Sequence, residues 1–265
     1  MKIKLNNILS YLFYLLPFAL VFSRFLSDTI ISVSGIIFII ISVIYKHTNF
    51  YKHYLSIIFF IWCGYLIIIS LLSSNILLSL SSSLFYFRFG FFVFAFTYIS
   101  NENKKFLLNF SISFFIIIII LFLDSLIQYF FGKNLTGHVY YGIRLSSFFG
   151  EEKVLGSFLS RTFLIPVIIL LILNIKIKNY VFLLSVYFFF ITLIVIFSGE
   201  RTALFILIIN YFLFLFSFKK LFKKLIIPFS IIISLISLTL YVDKSLSTRM
   251  FKQTFRDFNF TKESL

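Results

Sequence analysis

The stretch Phe106-Leu-Leu-Asn-Phe-Ser-Ile-Ser-Phe-Phe-Ile-Ile-Ile-Ile-Ile-Leu-Phe-Leu-Asp-Ser-Leu-Ile-Gln-Tyr-Phe-Phe131 decides the fold class. It exceeds the roughly 18 apolar residues that a helix needs to cross a bilayer. Its Phe and Ile content favours strands by propensity alone. A transmembrane barrel strand, however, alternates lipid-facing and lumen-facing residues, and the run from Phe114 to Phe122 does not alternate. The same character recurs along the chain. Of its 265 residues 61% are hydrophobic and 12% charged, and the mean hydropathy is +1.07. A soluble domain carries about 45–50% apolar residues, so an ordinary water-soluble globule is excluded. The expected fold is an all-α polytopic transmembrane bundle.

A window of about 19 residues places nine spans at 7–23, 27–45, 54–72, 83–99, 106–131, 154–173, 180–198, 201–218 and 225–242. The first is too long for a cleaved signal peptide and is read as an anchor. The joints are short and polar, with no internal repeat and no hydrophilic stretch long enough for a soluble domain. The chain thus divides into a bundle over 1–242 with an outer loop at about 132–153, and a tail over 243–265.

The formal charge of +15 would point to nucleic acid in a soluble domain; here it divides between two membrane faces, and no nucleic-acid partner is expected. Placing the N-terminus in the cytoplasm puts Lys2, Lys4, Lys46, Lys52, Lys104, Lys105, Lys176, Lys178, Lys219, Lys220, Lys223 and Lys224 inside. The other face receives Lys133, Lys153, Lys244, Lys252 and Lys262, together with every arginine: Arg24, Arg88, Arg144, Arg161, Arg201, Arg249 and Arg256. The totals tie, but the inside lysines recur at each inside joint, which orients the N-terminus to the cytoplasm and the C-terminus to the periplasmic side. Reporter fusions after Lys178 and Lys224 are expected to read cytoplasm and one after Ser247 the opposite face; either inside fusion reading outside overturns this orientation.

The segregation of arginine has its own chemistry. A guanidinium captures phosphate through two parallel hydrogen bonds, whereas an ammonium is a point charge. Arg88 and Arg161 fall inside the fourth and sixth spans and Arg201 opens the eighth. A cation at the membrane centre costs about 2.5–3.5 kcal/mol on insertion scales, so such residues face a bundle interior or wet cavity, or snorkel to headgroups. Asp124 is a candidate ion-pair or proton-transfer partner for one of them. In the outer loop Arg144 is an anion contact, Tyr140 and Tyr141 are sugar-stacking or interfacial aromatics, and Glu151 and Glu152 are acid/base candidates. Neither a metal nor a cofactor is expected. His138 has no second ligand nearby in sequence, and the single cysteine, Cys63, forms neither an internal disulfide nor a thiolate cluster.

Two segments carry a resemblance. Arg144-Leu-Ser-Ser-Phe-Phe-Gly-Glu-Glu-Lys-Val-Leu-Gly-Ser-Phe-Leu-Ser-Arg161 is followed, one helical hairpin later, by Phe197-Ser-Gly-Glu-Arg-Thr-Ala-Leu204. Together, over roughly residues 80–260, they resemble the bacterial O-antigen ligase and O-antigen polymerase superfamily. An Arg-rich loop there precedes a Gly-containing span, and a Ser-Gly/Ser-Arg-Thr/Gly-Ala type motif opens a later one. The resemblance implies a multi-pass protein of the bacterial inner membrane. It implies metal-independent transfer of a glycan from undecaprenyl diphosphate to lipid A-core or another acceptor at the periplasmic face, in lipopolysaccharide biosynthesis. By position, Arg144 and Arg201 match motif arginines that hold the diphosphate; Arg88 and Arg161 are weaker matches, and Glu200 with Asp124 would tune the cluster.

The resemblance breaks at the tail. The family's ligase branch carries a large outer loop after a span equivalent to the ninth, with a histidine, and then further spans. Here the tail after Val242 ends at Leu265 without such a histidine, so the chain reads as cut short and its catalytic residues are left unassigned. The recurrence of Met250, Phe251, Phe255 and Phe258 between Lys252, Arg256 and Lys262 suggests an amphipathic surface helix there. A lipid-linked oligosaccharide flippase would also place arginines in a cavity, but Pro17, Pro166 and Pro228 do not interrupt two halves in corresponding positions. An accessory membrane subunit is the remaining alternative.

Overall fold

The computed structural model describes residues 2–46, 49–142, 144–175, 179–218 and Ser234. The expected span 225–242, apart from Ser234, and the expected tail helix lie outside the described residues. Eleven α-helices follow one another among the described residues: α1 Lys2–Phe22, α2 Arg24–Tyr45, α3 Asn49–Lys52, α4 Tyr54–Leu71, α5 Ile76–Ser83, α6 Phe87–Glu102, α7 Phe106–Phe131, α8 Leu155–Thr162, α9 Leu164–Ile172, α10 Tyr180–Phe197 and α11 Arg201–Ser217. No strand occurs among them; the only β feature is an isolated antiparallel bridge between Lys133 and Val139. Seven helical runs are long and apolar enough to cross a membrane, with α5–α6 and α8–α9 each counted as one, and α11 is a shorter apolar helix. Val43, Leu77, Phe182 and Phe212 remain exposed on them, as suits surfaces whose solvent is lipid.

The described residues form two compact units, divided between Ser113 and Phe114. In the N-terminal unit α1 reverses into α2 across Ser23, whose hydroxyl accepts from Leu26 N–H. Small residues let α2 lie close to α6. A Cβ on Gly35 would come 3.1 Å from Phe91 Cβ and 3.7 Å from the Arg88 carbonyl oxygen, and Ser27, Ser34 and Ser42 share the buried side of α2. Phe13 fills the space between α1, α6 and the start of α7, with ring centroids 5.1–5.6 Å from Phe92, Phe96 and Phe106. The unit has a distinct polarity. At one end the Lys2 ammonium bonds the Glu102 carboxylate at 3.0 Å and lies 5.7 Å from the Tyr45 ring centroid. At the other end Arg88 reaches Asp28 at 3.2 Å.

The fourth span starts earlier than hydropathy places it, at Ile76 rather than 83. Serines at 79 and 81–83 depress the apolar average, yet their hydroxyls are bonded. Ser81 donates to the Leu78 carbonyl at 2.7 Å, Ser79 pairs with Ser73, and Ser83 with Ser70. A bonded serine is tolerable in a membrane, where an unbonded one is costly.

In the C-terminal unit, the sixth span is interrupted between α8 and α9 at Phe163, three residues before Pro166. The Tyr187 hydroxyl donates to the Phe163 carbonyl at 2.8 Å, satisfying backbone at that break. Gly199, at φ +65°, turns α10 into α11, and the Thr192 and Tyr211 hydroxyls meet across that hairpin at 2.7 Å. Asn210 ties α11 to α8 by donating to the Ser160 carbonyl at 2.8 Å.

Candidate functional site

One end of the C-terminal unit gathers both motif segments. Gly132 and Tyr140 close a small hairpin through a 2.8 Å backbone bond, and the chain then runs back to α10, where Leu145 N–H donates to the Phe197 carbonyl at 3.2 Å. Arg144 is thereby held beside the end of α10, four residues ahead of Arg201. The second junction is stronger. No side chain at Val154 caps α8, and Glu200 opens α11 without capping it. Instead the Glu200 carboxylate crosses to α8, accepting from Gly156 N–H at 2.8 Å, Ser157 N–H at 3.1 Å and the Ser157 hydroxyl at 2.5 Å. It is an N-cap supplied by another helix: an anion that satisfies orphan donors and meets the positive end of the α8 dipole. The contact demands glycine at 156. A Cβ there would overlap the Ser198 hydroxyl and come within 3.1 Å of both Ala203 Cβ and Glu200 Oε1.

A buried polar layer under the outer loop holds its path. Asp124 and Gln128, four residues apart on α7, are both fully buried and so share a face. Asp124 accepts from Leu135 N–H at 2.9 Å, the Ser147 hydroxyl at 2.5 Å and the Asn134 amide at 3.4 Å. Gln128 Oε1 accepts from the Ser146 and Ser147 N–H groups at 3.0 and 2.8 Å, and its amide donates to the Ser146 hydroxyl at 3.2 Å and the His138 carbonyl at 3.3 Å. Asn134 completes the layer, donating to the Ser147 carbonyl and accepting from His138 N–H. Gly150, at φ +58°, turns the loop where a Cβ would strike the His138 ring at 2.7 Å.

This geometry revises several sequence expectations. The partners of Asp124 are loop donors, not an arginine; a carboxylate this buried is satisfied by aimed N–H and O–H groups. Both oxygens of Glu200 are likewise engaged by donors of α8. Arg161 is exposed, while the covered face of α8 is formed by Leu155, Gly156, Leu159 and Ser160, so Arg161 does not point into the interior of its unit. Arg88 belongs to the N-terminal unit and pairs with Asp28 at the start of α2, a partner the sequence reading missed. Glu151 and Glu152 are exposed in the 3-10 turn Ser147–Glu152. Tyr140 closes the loop hairpin with its backbone, while Tyr141 is exposed. No group of three or more His, Cys, Asp or Glu suited to a metal occurs among the described residues.

The Nε of Arg144 is buried and has no hydrogen-bond partner among the described residues; the same holds for the Nε of Arg88, whose guanidinium is already paired with Asp28 through its other end. A buried guanidinium N–H left open is costly unless another acceptor meets it. Gln128, Asn134 and Ser147 were the residues missed. The i, i+4 polar pair Asp124 and Gln128 inside an otherwise apolar helix was their available signal. No family model matches this chain, and no curated protein or solved structure matches it significantly.

Proposed function

We propose that the chain binds an undecaprenyl-diphosphate-linked glycan at the Arg144 and Arg201 end of its C-terminal unit. In this reading it takes part in transferring that glycan to lipid A-core or another acceptor at the periplasmic face of the bacterial inner membrane. The observation that carries the reading is the open, buried Nε of Arg144 in a loop clamped beside the helix that leads into Arg201. A diphosphate supplies acceptor oxygens in the planar array a guanidinium fork fits. Positive charge fixed there would stabilise a diphosphate leaving group as its charge develops. Glu200 and Asp124 act in this reading as positioning residues, holding the two arginine-bearing segments together.

The test is direct binding of undecaprenyl diphosphate to the full chain in lipid nanodiscs. Arg144→Lys and Arg201→Lys keep the charge and lose the fork. Each is expected to weaken binding about tenfold, the equivalent of about 1.4 kcal/mol, with little change in thermal stability. Unchanged affinity in both variants overturns the site.

A further inference from the structure

The N-terminal unit holds a second feature, independent of the arginine end. A groove of about 560 Å³ runs between α4 and α6, lined by Leu55 and Phe59 on one wall and by Phe89, Val93, Phe94 and Thr97 on the other. Leu55 and Val93, 57% and 56% exposed, leave it open along its side. It narrows where Phe59 lies over Gly90, since a Cβ there would overlap the ring. The wall is apolar in effect as well as in composition. The Thr97 hydroxyl is turned to its own helix, donating to the Val93 carbonyl at 2.9 Å, and the Ser56 hydroxyl donates to the Phe50 carbonyl at 2.7 Å.

Polarity with hydrogen-bonding capacity to spare is confined to one mouth, where Asn49 and His53 complete the lining. His53 Nδ1 accepts from Leu55 N–H, which leaves Nε2 as the N–H donor of the ring, without a partner among the described residues. Lys52 adjoins His53 in the chain and is exposed.

We infer that this groove seats one acyl chain of an anionic phospholipid from the leaflet at the lysine end of the unit, with the headgroup phosphate over His53, Asn49 and Lys52. Three observations converge on that occupant. From Thr97 to Phe89 the groove follows eight residues of α6, about 12 Å at the helical rise, against about 15 Å for half of a bilayer core. Its volume lies within the range of small-ligand sites. A basic, donor-rich mouth on an apolar slot is complementary to a negative headgroup on a hydrocarbon tail.

The full chain released from nanodiscs of equal phosphatidylglycerol and phosphatidylethanolamine, and weighed intact by native mass spectrometry, is expected to retain one phospholipid. The retained lipid should favour phosphatidylglycerol about fivefold. Val93→Trp or Thr97→Phe fills the slot and should cut retention at least fivefold, while Ile40→Trp, on an exposed position of α2, should leave it unchanged. Lys52→Glu should abolish the headgroup preference while keeping the lipid, which decides the question even where a slot-filling variant fails to fold. No retained lipid, equal retention of both lipids by the unaltered chain, or an equal loss in Ile40→Trp overturns the inference.

Discussion

Glu200→Ala is expected to lower the stability of the protein by about 3 kcal/mol and to separate the two motif segments at their junction. The carboxylate is buried and is the acceptor for two backbone N–H groups and one hydroxyl at the start of α8. Losing a helix cap costs about 0.5–2 kcal/mol, and each buried donor left unsatisfied about 1–3 kcal/mol. Water entering the vacated space recovers part of that sum. Glu200→Gln keeps one carbonyl oxygen but turns an amide N–H₂ toward another donor, so about half the loss is expected. Thermal unfolding in detergent measures both. The same pair separates capping from acid/base chemistry. A capping Glu200 shifts the melt in proportion to the donors it abandons, whereas a Glu200 serving only as acid or base leaves the Gln variant as stable as the parent. A parent-like melt for Glu200→Ala would mean that α8 is capped by water and that this junction does not hold the two segments.

The membrane character and the helical runs were legible because a bilayer imposes one strong requirement, length of apolar helix, and runs such as 106–131 meet it without ambiguity. Where the reading slipped, polar residues were the cause. The serines of α5 lowered local hydropathy, while their hydroxyls bond to one another and to carbonyls. The interruption at Phe163 had a visible marker in Pro166, but its partner Tyr187 is 24 positions away. The acidic residues were the least legible. Charge counting pairs Asp124 and Glu200 with arginines because opposite signs attract, but burial favours several aimed hydrogen bonds over one cation, and which donors converge depends on how the loop closes. Asp28 went unread for the opposite reason. It lies one turn into α2 at a polar helix end, where a carboxylate is unremarkable until α6 brings Arg88 within 3.2 Å.

Asp124→Ala is expected to release the outer loop. The Asp124 side chain accepts from Leu135 N–H and from the Ser147 hydroxyl, and it lies under a segment whose backbone passes through positive φ at Gly132, Gly137, Ser147 and Gly150. A loop with so many left-handed residues holds its path through the bonds that anchor it. Removing the carboxylate strands buried donors, a loss of about 3 kcal/mol, larger than a surface substitution would give. Asp124→Asn retains one oxygen, and the Ser147 hydroxyl can rotate to accept from the new amide, so about 1 kcal/mol is expected there. A double-mutant cycle with Ser147→Ala should return a coupling of about 1–2 kcal/mol, because the two side chains share one hydrogen bond. Amide hydrogen exchange over 132–153 reads the loop directly. Protection is expected to fall throughout it in Asp124→Ala and to be largely kept in Asp124→Asn, with exchange in α1 and α2, which belong to the other unit, unchanged. If Asp124 instead served an arginine or carried protons, the Asn variant would be as damaging as the Ala variant and the loop would stay protected in both. That outcome would return Asp124 to the ion-pair role that charge counting assigns it.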